Sequence, residues 1–254
     1  MAVPQFDEKN SNNSSDRSHL QGRLPTFQVP KTVILCYHAP FVKKILENRA
    51  HQQCDGCFPR LYFLKDYPGV AIGNFGSGAP ITAGKMEELI SWGVLQFISI
   101  GTAASLQTKA KTGDIIVCEK AIRDEKTSQR FLPPAKYIHA PRRMTNKLQQ
   151  QLKKGGIPFH VGSSWTTDNF LRQTGEEMLQ YQKEGVLTME TEAAALFAVA
   201  HFYQVDLGAM FTITGSQQGS LWEPQPEDEP TRKGLESLFA AALEASKEQG
   251  PTNP

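Results

Sequence analysis

An excess of charge of either sign is missing from this sequence: 27 lysines and arginines meet 26 aspartates and glutamates among 254 residues. So even a balance sets up no long-range field. It excludes nucleic acid and anionic membrane as partners gathered by bulk electrostatics, and any ligand has to be recognised locally. Long hydrophobic runs are also missing. No stretch approaches the ~20 apolar residues that span a bilayer, and the opening MAVPQFDEKNSNNSSDRSHLQGR lacks the apolar segment of a secretory signal. The expectation is a cytoplasmic protein with no membrane partner. Cysteine is scarce: four residues are too few for a disulfide framework at this length. Cys36 and Cys118 lie in apolar runs, where a reduced, buried thiol is ordinary. His51, Cys54 and Cys57 in HQQCDGC have no fourth ligand and no second CxxC or HxxxH to join them. A solvent-facing loop is expected there, with no metal.

What is present suffices for one large core, since 39% of the residues are hydrophobic. Residues 1–28 are rich in Ser, Asn and charge and read as a flexible tail; 29–248 read as a single domain, and 249–254 as a C-terminal tail. From residue 31 two hydrophobic periods alternate. TVILCY (32–37), GVAIGNF (69–75), LQFISIG (95–101), DIIVCE (114–119), IPFHVG (157–162) and LGAMFTIT (207–214) are short, apolar and rich in β-branched residues, as interior strands are. Helical patterns lie between and beyond them. Pro40 and Pro80 open two, Gly93 stops the second, and the others run over 143–154, 168–183, 190–203 and 230–248. The expected fold is a three-layer α/β domain with a mixed, mainly parallel central sheet flanked by helices.

In such a sheet ligands bind beyond the carboxyl ends of the strands, so the loops there carry the functional signal. GNFGSGAP (73–80), SIGTAAS (99–105), GSSWTTDNF (162–170) and TITGSQQGS (212–220) share small residues, hydroxyls and exposed N–H groups suited to close approach and to an anion. Singly, each is ordinary turn chemistry. No GK[ST] follows the glycines and no ribose-binding acid stands at the dinucleotide spacing, so ATP and NAD find little support.

Glu190 and Glu192 pose the sharpest question. The segment they open, ending AAALFAVAHF, is apolar nearly all round and fit for burial, so its start is buried too. A helix dipole eases a carboxylate by only ~0.3–1 kcal/mol, against several kcal/mol for desolvating one that is unpaired. One Glu is explained by capping, with Thr188 as N-cap. The other wants a ligand, and a vicinal diol such as that of ribose matches an acceptor-only carboxylate.

These residues together carry a resemblance. VAIGNFGSGAP, MEEL, GVLQFISIGTAASLQ, KTGDIIVCEKAIRDE, VGSSWTTDNF and GVLTMETEAAALFAVA, in that order over about residues 30–215, resemble the nucleoside phosphorylase superfamily that includes uridine phosphorylase and the hexamer-forming purine nucleoside phosphorylases. The resemblance implies phosphorolysis of a nucleoside to free base and ribose 1-phosphate, with inorganic phosphate as co-substrate and no cofactor or metal. It implies that Glu192 grips the ribose 2′- and 3′-hydroxyls, and that Thr102 meets phosphate and ribose. Met189, Glu190 and Thr191 would line the sugar beside Ala103 and Ala104. Phe170 would pack on the base, with Arg172 and Gln173 as further candidates and Thr214, Gly215 and Ser216 facing it. Phosphate would meet Thr102, Gly76, Ser99 and His38, and Arg123 is a candidate replacement cation. A homo-oligomer, dimer, trimer or hexamer, is implied as well.

The sequence also departs from the pattern. Tyr37 and Phe41 stand where the resemblance implies a Gly and an Arg, Ser99 stands where it implies a second Arg, and Gly215 occupies the place of an acid that protonates purines. Two charge-assisted contacts to phosphate, each worth ~1.5–3 kcal/mol, are thus replaced. The leading expectation is a nucleoside phosphorylase. A nucleosidase using water and a non-catalytic nucleoside-binding homologue are the alternatives.

Overall fold

The computed structural model describes residues 27–54, 61–169, 172–218, 221–222 and 228–247. Strand β1 (Thr32–Cys36) leads into α1 (Ala39–Asn48), and β2 (His51–Gln53), β3 (Leu61–Leu64) and β4 (Val70–Gly73) precede α2 (Ala79–Ser91). Two long strands follow, β5 (Gln96–Ser105) and β6 (Ile115–Arg123), then β7 (Tyr137–His139) and α3 (Arg142–Lys154). The remainder is β8 (Phe159–Thr166), α4 (Gly175–Lys183), β9 (Thr188–Glu190), α5 (Ala193–Tyr203), β10 (Asp206–Gln218), β11 (Leu221–Trp222) and α6 (Glu229–Ser246).

The sheet is mixed, and its centre is parallel. β4, β1, β5 and β10 run side by side in one direction, which is why their sequences are nearly unbroken runs of Val, Ile, Leu and Ala. β10 also pairs antiparallel with β6, β6 pairs with β8, and β8 passes through β9 back to β5. The strands β5, β10, β6, β8 and β9 therefore close into a ring, and the carboxyl ends of β5 and β8 converge on β9. Helices α1, α3 and α6 cover one face around Ile34, Ile98, Val117, Met210 and Leu238. On the other face, α2 and α5 bury Val33, Phe97, Ile116, Phe197 and Phe211. The α6 contact is close: a Cβ on Gly234 would fall 1.9 Å from Thr212 Oγ1.

Three local expectations change. Residues 168–169 and 172–174 are not helical; Thr174 caps α4 instead, accepting from Glu177 N while the Glu177 carboxylate accepts from Thr174 N, a reciprocal capping box. The helix expected over 190–203 starts at Ala193, because Glu190 is the last residue of β9 and Glu192 is the N-cap. Thr188 is accordingly a strand residue paired with Ser105. Cys36 and Cys118 are buried free thiols, whereas Cys54 is buried in a disulfide and is no ligand candidate. Cys57, the tails 1–26 and 249–254, and Phe170 lie outside the described residues. Among the described residues no His, Cys, Asp and Glu cluster is arranged to hold a metal, and no helix is long and apolar enough to cross a membrane.

Candidate active site

The turn between β9 and α5 explains why two carboxylates open an apolar helix. Glu190 turns inward and binds four donors. Its Oε2 accepts from the backbone N–H of Glu192 and of Ala193, both at 2.7 Å. Its Oε1 accepts from Thr166 Oγ1 at 2.5 Å and from Ser164 Oγ at 3.1 Å. Glu190 is thus the capping carboxylate, satisfying two of the helix's orphan N–H groups. Thr166 Oγ1 in turn accepts from Ala194 N at 3.0 Å, so β8 and α5 are tied through one side chain.

Glu192 is held differently. Its Oε1 accepts from Gly78 N at 2.6 Å and from the hydroxyl of Thr191, and no described side chain donates to its other oxygen. Gly78 sits at φ +100°, a conformation open to glycine, and this is what aims its N–H at the carboxylate. Glu192 is 5% exposed and lines a cavity of about 230 Å³ together with Tyr37, His38, Ser77, Thr102, Glu190 and Thr191. The cavity lies at the carboxyl ends of β1 and β5, where open α/β sheets bind ligands. A larger hollow between α1 and α6, of about 440 Å³, is lined by Phe41, Ile45 and Phe239 and by charges already paired, Lys44 with Glu236 and Arg49 with Asp66.

Tyr37 and Ser99, standing where the resemblance implies Gly and Arg, bond to each other: Tyr37 Oη lies 3.2 Å from Ser99 Oγ. Burial, and then the charge of Glu192, hold the Tyr37 phenol well above its ordinary value, so it stays neutral. His38 caps α1, its Nδ1 accepting from Phe41 N at 3.1 Å.

Of the residues expected from the sequence, the fold brings Glu190, Thr191, Glu192, Thr102 and His38 to one cavity, and Ser99 reaches it through Tyr37. Others go elsewhere. Arg123, expected to supply a cation, spends its guanidinium on Ser128 Oγ, Pro133 O and Leu132 O, because its loop folds back over it. Met189, Ala103 and Ala104 are core residues, buried where β9 crosses β5. Arg172 is exposed, and Gln173 donates to Thr167 Oγ1 and to Asn169 O within its own loop. Gly76 is an exposed turn residue outside the cavity lining. Thr214 and Gly215 occupy β10 beyond the lining, the Thr214 hydroxyl buried without a partner among the described residues. The side chain of Ser216 lies outside the described residues. Ser77 and Gly78 went unnamed, although GNFGSGAP marked their loop. The GSSWTTDNF stretch offered hydroxyls for a ligand, and two of them, Ser164 and Thr166, serve Glu190 instead.

An Arg123→Met variant therefore loses stability, about 2–3 kcal/mol for three hydrogen bonds from a charged donor, yet keeps kcat/KM within about threefold. Urea melts beside steady-state assays check both halves. The carboxyl pair makes a pH prediction. Burial first and the Glu192 charge second raise the Glu190 carboxyl to about 7, against the pull of Thr166 and the two N–H groups. Burial raises Glu192 as well. A folded value above the unfolded ~4.3 means the folded state holds extra protons between the two. The stability this confers is full below about pH 4 and is lost as pH rises through 7. Urea midpoints should fall from pH 5 to 7.5, and Glu192→Gln, which removes the neighbouring charge, should flatten that fall. The carboxyls of Glu184, Glu229 and Glu236, lowered by their lysine partners, act only at more acid pH.

Comparison with known proteins places these features. The sequence profile of the Phosphorylase superfamily matches residues 61–245. The chain is 33% identical over 194 residues to a DeoD-type purine nucleoside phosphorylase of Caldanaerobacter subterraneus, covering 74% of this chain and 84% of that protein. It is 28% identical over 162 residues to a uridine phosphorylase of Thermococcus kodakarensis, covering 58% of each. In fold it is similar to purine nucleoside phosphorylase from Toxoplasma gondii, with TM-score 0.78 and 19% identity over 89% of this chain and 96% of the other. Uridine phosphorylase from Vibrio fischeri gives TM-score 0.74 and 24% identity over 86% and 91%.

Proposed function

From the premise that this chain belongs to the phosphorylase superfamily, we propose that it cleaves the N-glycosidic bond of a ribonucleoside, passing the ribosyl group to inorganic phosphate and releasing the free base. The observation that carries this reading is Glu192: a buried carboxylate with one oxygen anchored by Gly78 and Thr191, on the wall of an open cavity. The anchored oxygen fixes the side chain, and the other is available to a vicinal diol. As the C1′–N bond lengthens, the ribosyl group gains positive charge, and a preplaced carboxylate stabilises that charge as it develops. Thr102 and Ser77 offer hydroxyls on the same wall, toward a phosphate or the sugar. Phosphate is already nucleophilic, so placement suffices. The reaction drawn this way uses no metal or cofactor. Assembly into a homo-oligomer belongs to the same proposal.

Water as the attacking group is the second reading, favoured by one observation: among the described residues no lysine or arginine lines the cavity. Base release from uridine, inosine and adenosine, followed with and without phosphate, tests both. Acceleration by phosphate supports phosphorolysis, equal rates support hydrolysis, and no release from any nucleoside overturns cleavage.

A further inference from the structure

We infer that Thr82, which lies outside the cavity lining, positions Glu192 by holding the Gly78 peptide unit whose N–H anchors that side chain. The inference rests on the ribonucleoside reading above and adds a residue that acts through another.

Two helix starts meet at this carboxyl group. Glu192 is the N-cap of α5 and Gly78 the N-cap of α2, and the 2.6 Å bond from Gly78 N to Glu192 Oε1 joins them. Gly78 has no side chain with which to cap its own helix, and without a Cβ its backbone torsions meet little steric restraint. Thr82 supplies that restraint. Its Oγ1 donates to Gly78 O at 3.0 Å and to Ala79 O at 3.3 Å, and its backbone N–H donates to Gly78 O at 3.1 Å. Thr82 is 2% exposed, so bulk water does not compete for those carbonyls. A threonine back-bonded inside a helix competes with the ladder; at this first turn it doubles the hold on one carbonyl.

The upstream side is held as well. The buried Phe75 ring folds back over Gly73, where a Cβ would fall 2.2 Å from the ring's Cζ, and Asn74 Oδ1 accepts from Gly76 N at 3.2 Å. Ser77 and Gly78, between the two clamps, are the part of the loop that meets the cavity and Glu192. The other donor to Glu192 Oε1, the Thr191 hydroxyl, belongs to the adjacent residue and moves with it. Gly78 is therefore the one described donor that ties Glu192 to a distant part of the fold. Releasing its peptide lets the carboxyl group swing, which harms alignment in the transition state more than ligand binding.

Thr82→Val, which keeps shape and drops the hydroxyl, and Thr82→Ser, which keeps the hydroxyl, test this by amide hydrogen exchange and by kinetics on uridine, inosine and adenosine. In Thr82→Val, exchange at the Gly78 N–H should rise about tenfold or more while amides in the second half of α2 keep the parent rate. The kcat should fall about tenfold with KM within about threefold, and Thr82→Ser should restore both readings. Thr82→Ala carries the same comparison if the valine variant does not fold. A parent-like rate at Gly78 in the variant lacking the hydroxyl overturns the inference. So does a rise spread evenly along α2, a failure of serine to restore the rate, or an unchanged kcat in a protein that cleaves nucleosides. If the parent cleaves none, the cleavage reading falls and the exchange comparison alone decides the role of Thr82.

Discussion

Glu192→Gln lowers kcat/KM by about 100- to 1,000-fold, about 3–4 kcal/mol, while the protein remains as stable as the parent or gains slightly. The size follows from what the side chain touches. One oxygen is taken by Gly78 N and the Thr191 hydroxyl, so glutamine must present its carbonyl there to avoid opposing donors. That choice turns its NH2 toward the cavity, where the carboxylate had offered an acceptor. A diol then loses two charge-assisted bonds of about 1.5–3 kcal/mol each, only partly replaced by weaker ones. The effect falls more on kcat than on KM, because a charge opposite a developing ribosyl cation is worth most in the transition state. Stability is spared because burial already disfavours the charged form, whose carboxyl value is raised. Steady-state kinetics and thermal melts on one preparation decide the matter. A loss below about fivefold would leave Glu192 a mere turn residue.

For Glu190→Ala the expectation is reversed: about 3 kcal/mol of stability is lost, and activity follows only because the site loosens. Removing this carboxylate strips partners from Glu192 N, Ala193 N, Ser164 Oγ and Thr166 Oγ1. Each unsatisfied buried donor costs about 1–3 kcal/mol, and relief of a buried, repelled charge offsets part of the sum. At roughly 2–4 °C per kcal/mol for a chain of this size, Tm drops by about 6–12 °C. Glu190→Gln separates capping from charge, since its carbonyl still serves the two N–H groups and its amide can donate to the hydroxyl oxygens. It should cost about 1 kcal/mol. If Ala and Gln variants melt alike, the four hydrogen bonds contribute little and the cap is not what holds α5 to β8.

Much of this fold is legible in the chain because its period is strong. The six apolar runs fall on the six long or central strands, and Pro40, Pro80 and Gly93 stand at or next to helix boundaries. The strands that escaped notice, β2, β3, β7, β9 and β11, have two to four residues each, too few for a period of two to show, and pairing across the sheet alone makes them strands. The helical pattern over 168–183 yields a helix only from Gly175, because Thr174 in QTGEE caps it together with Glu177. At the site, GNFGSGAP and METEAAAL announced that something polar is buried at strand ends. They did not say which carboxylate caps and which faces the cavity.

That division is general to this protein. Local composition by itself determined the α/β alternation, the burial of the helix that follows METE, and the presence there of two buried carboxyls that need hydrogen-bond partners, because desolvation energies and hydrophobic periods belong to residues in sequence. Only the tertiary structure decided the assignments. Gly78 is 114 positions from Glu192, Ser99 is 62 from Tyr37, and Thr166 is 24 from Glu190. Hydrogen bonds act over about 3 Å, and which donors come that close to a carboxylate depends on how the ring of strands closes.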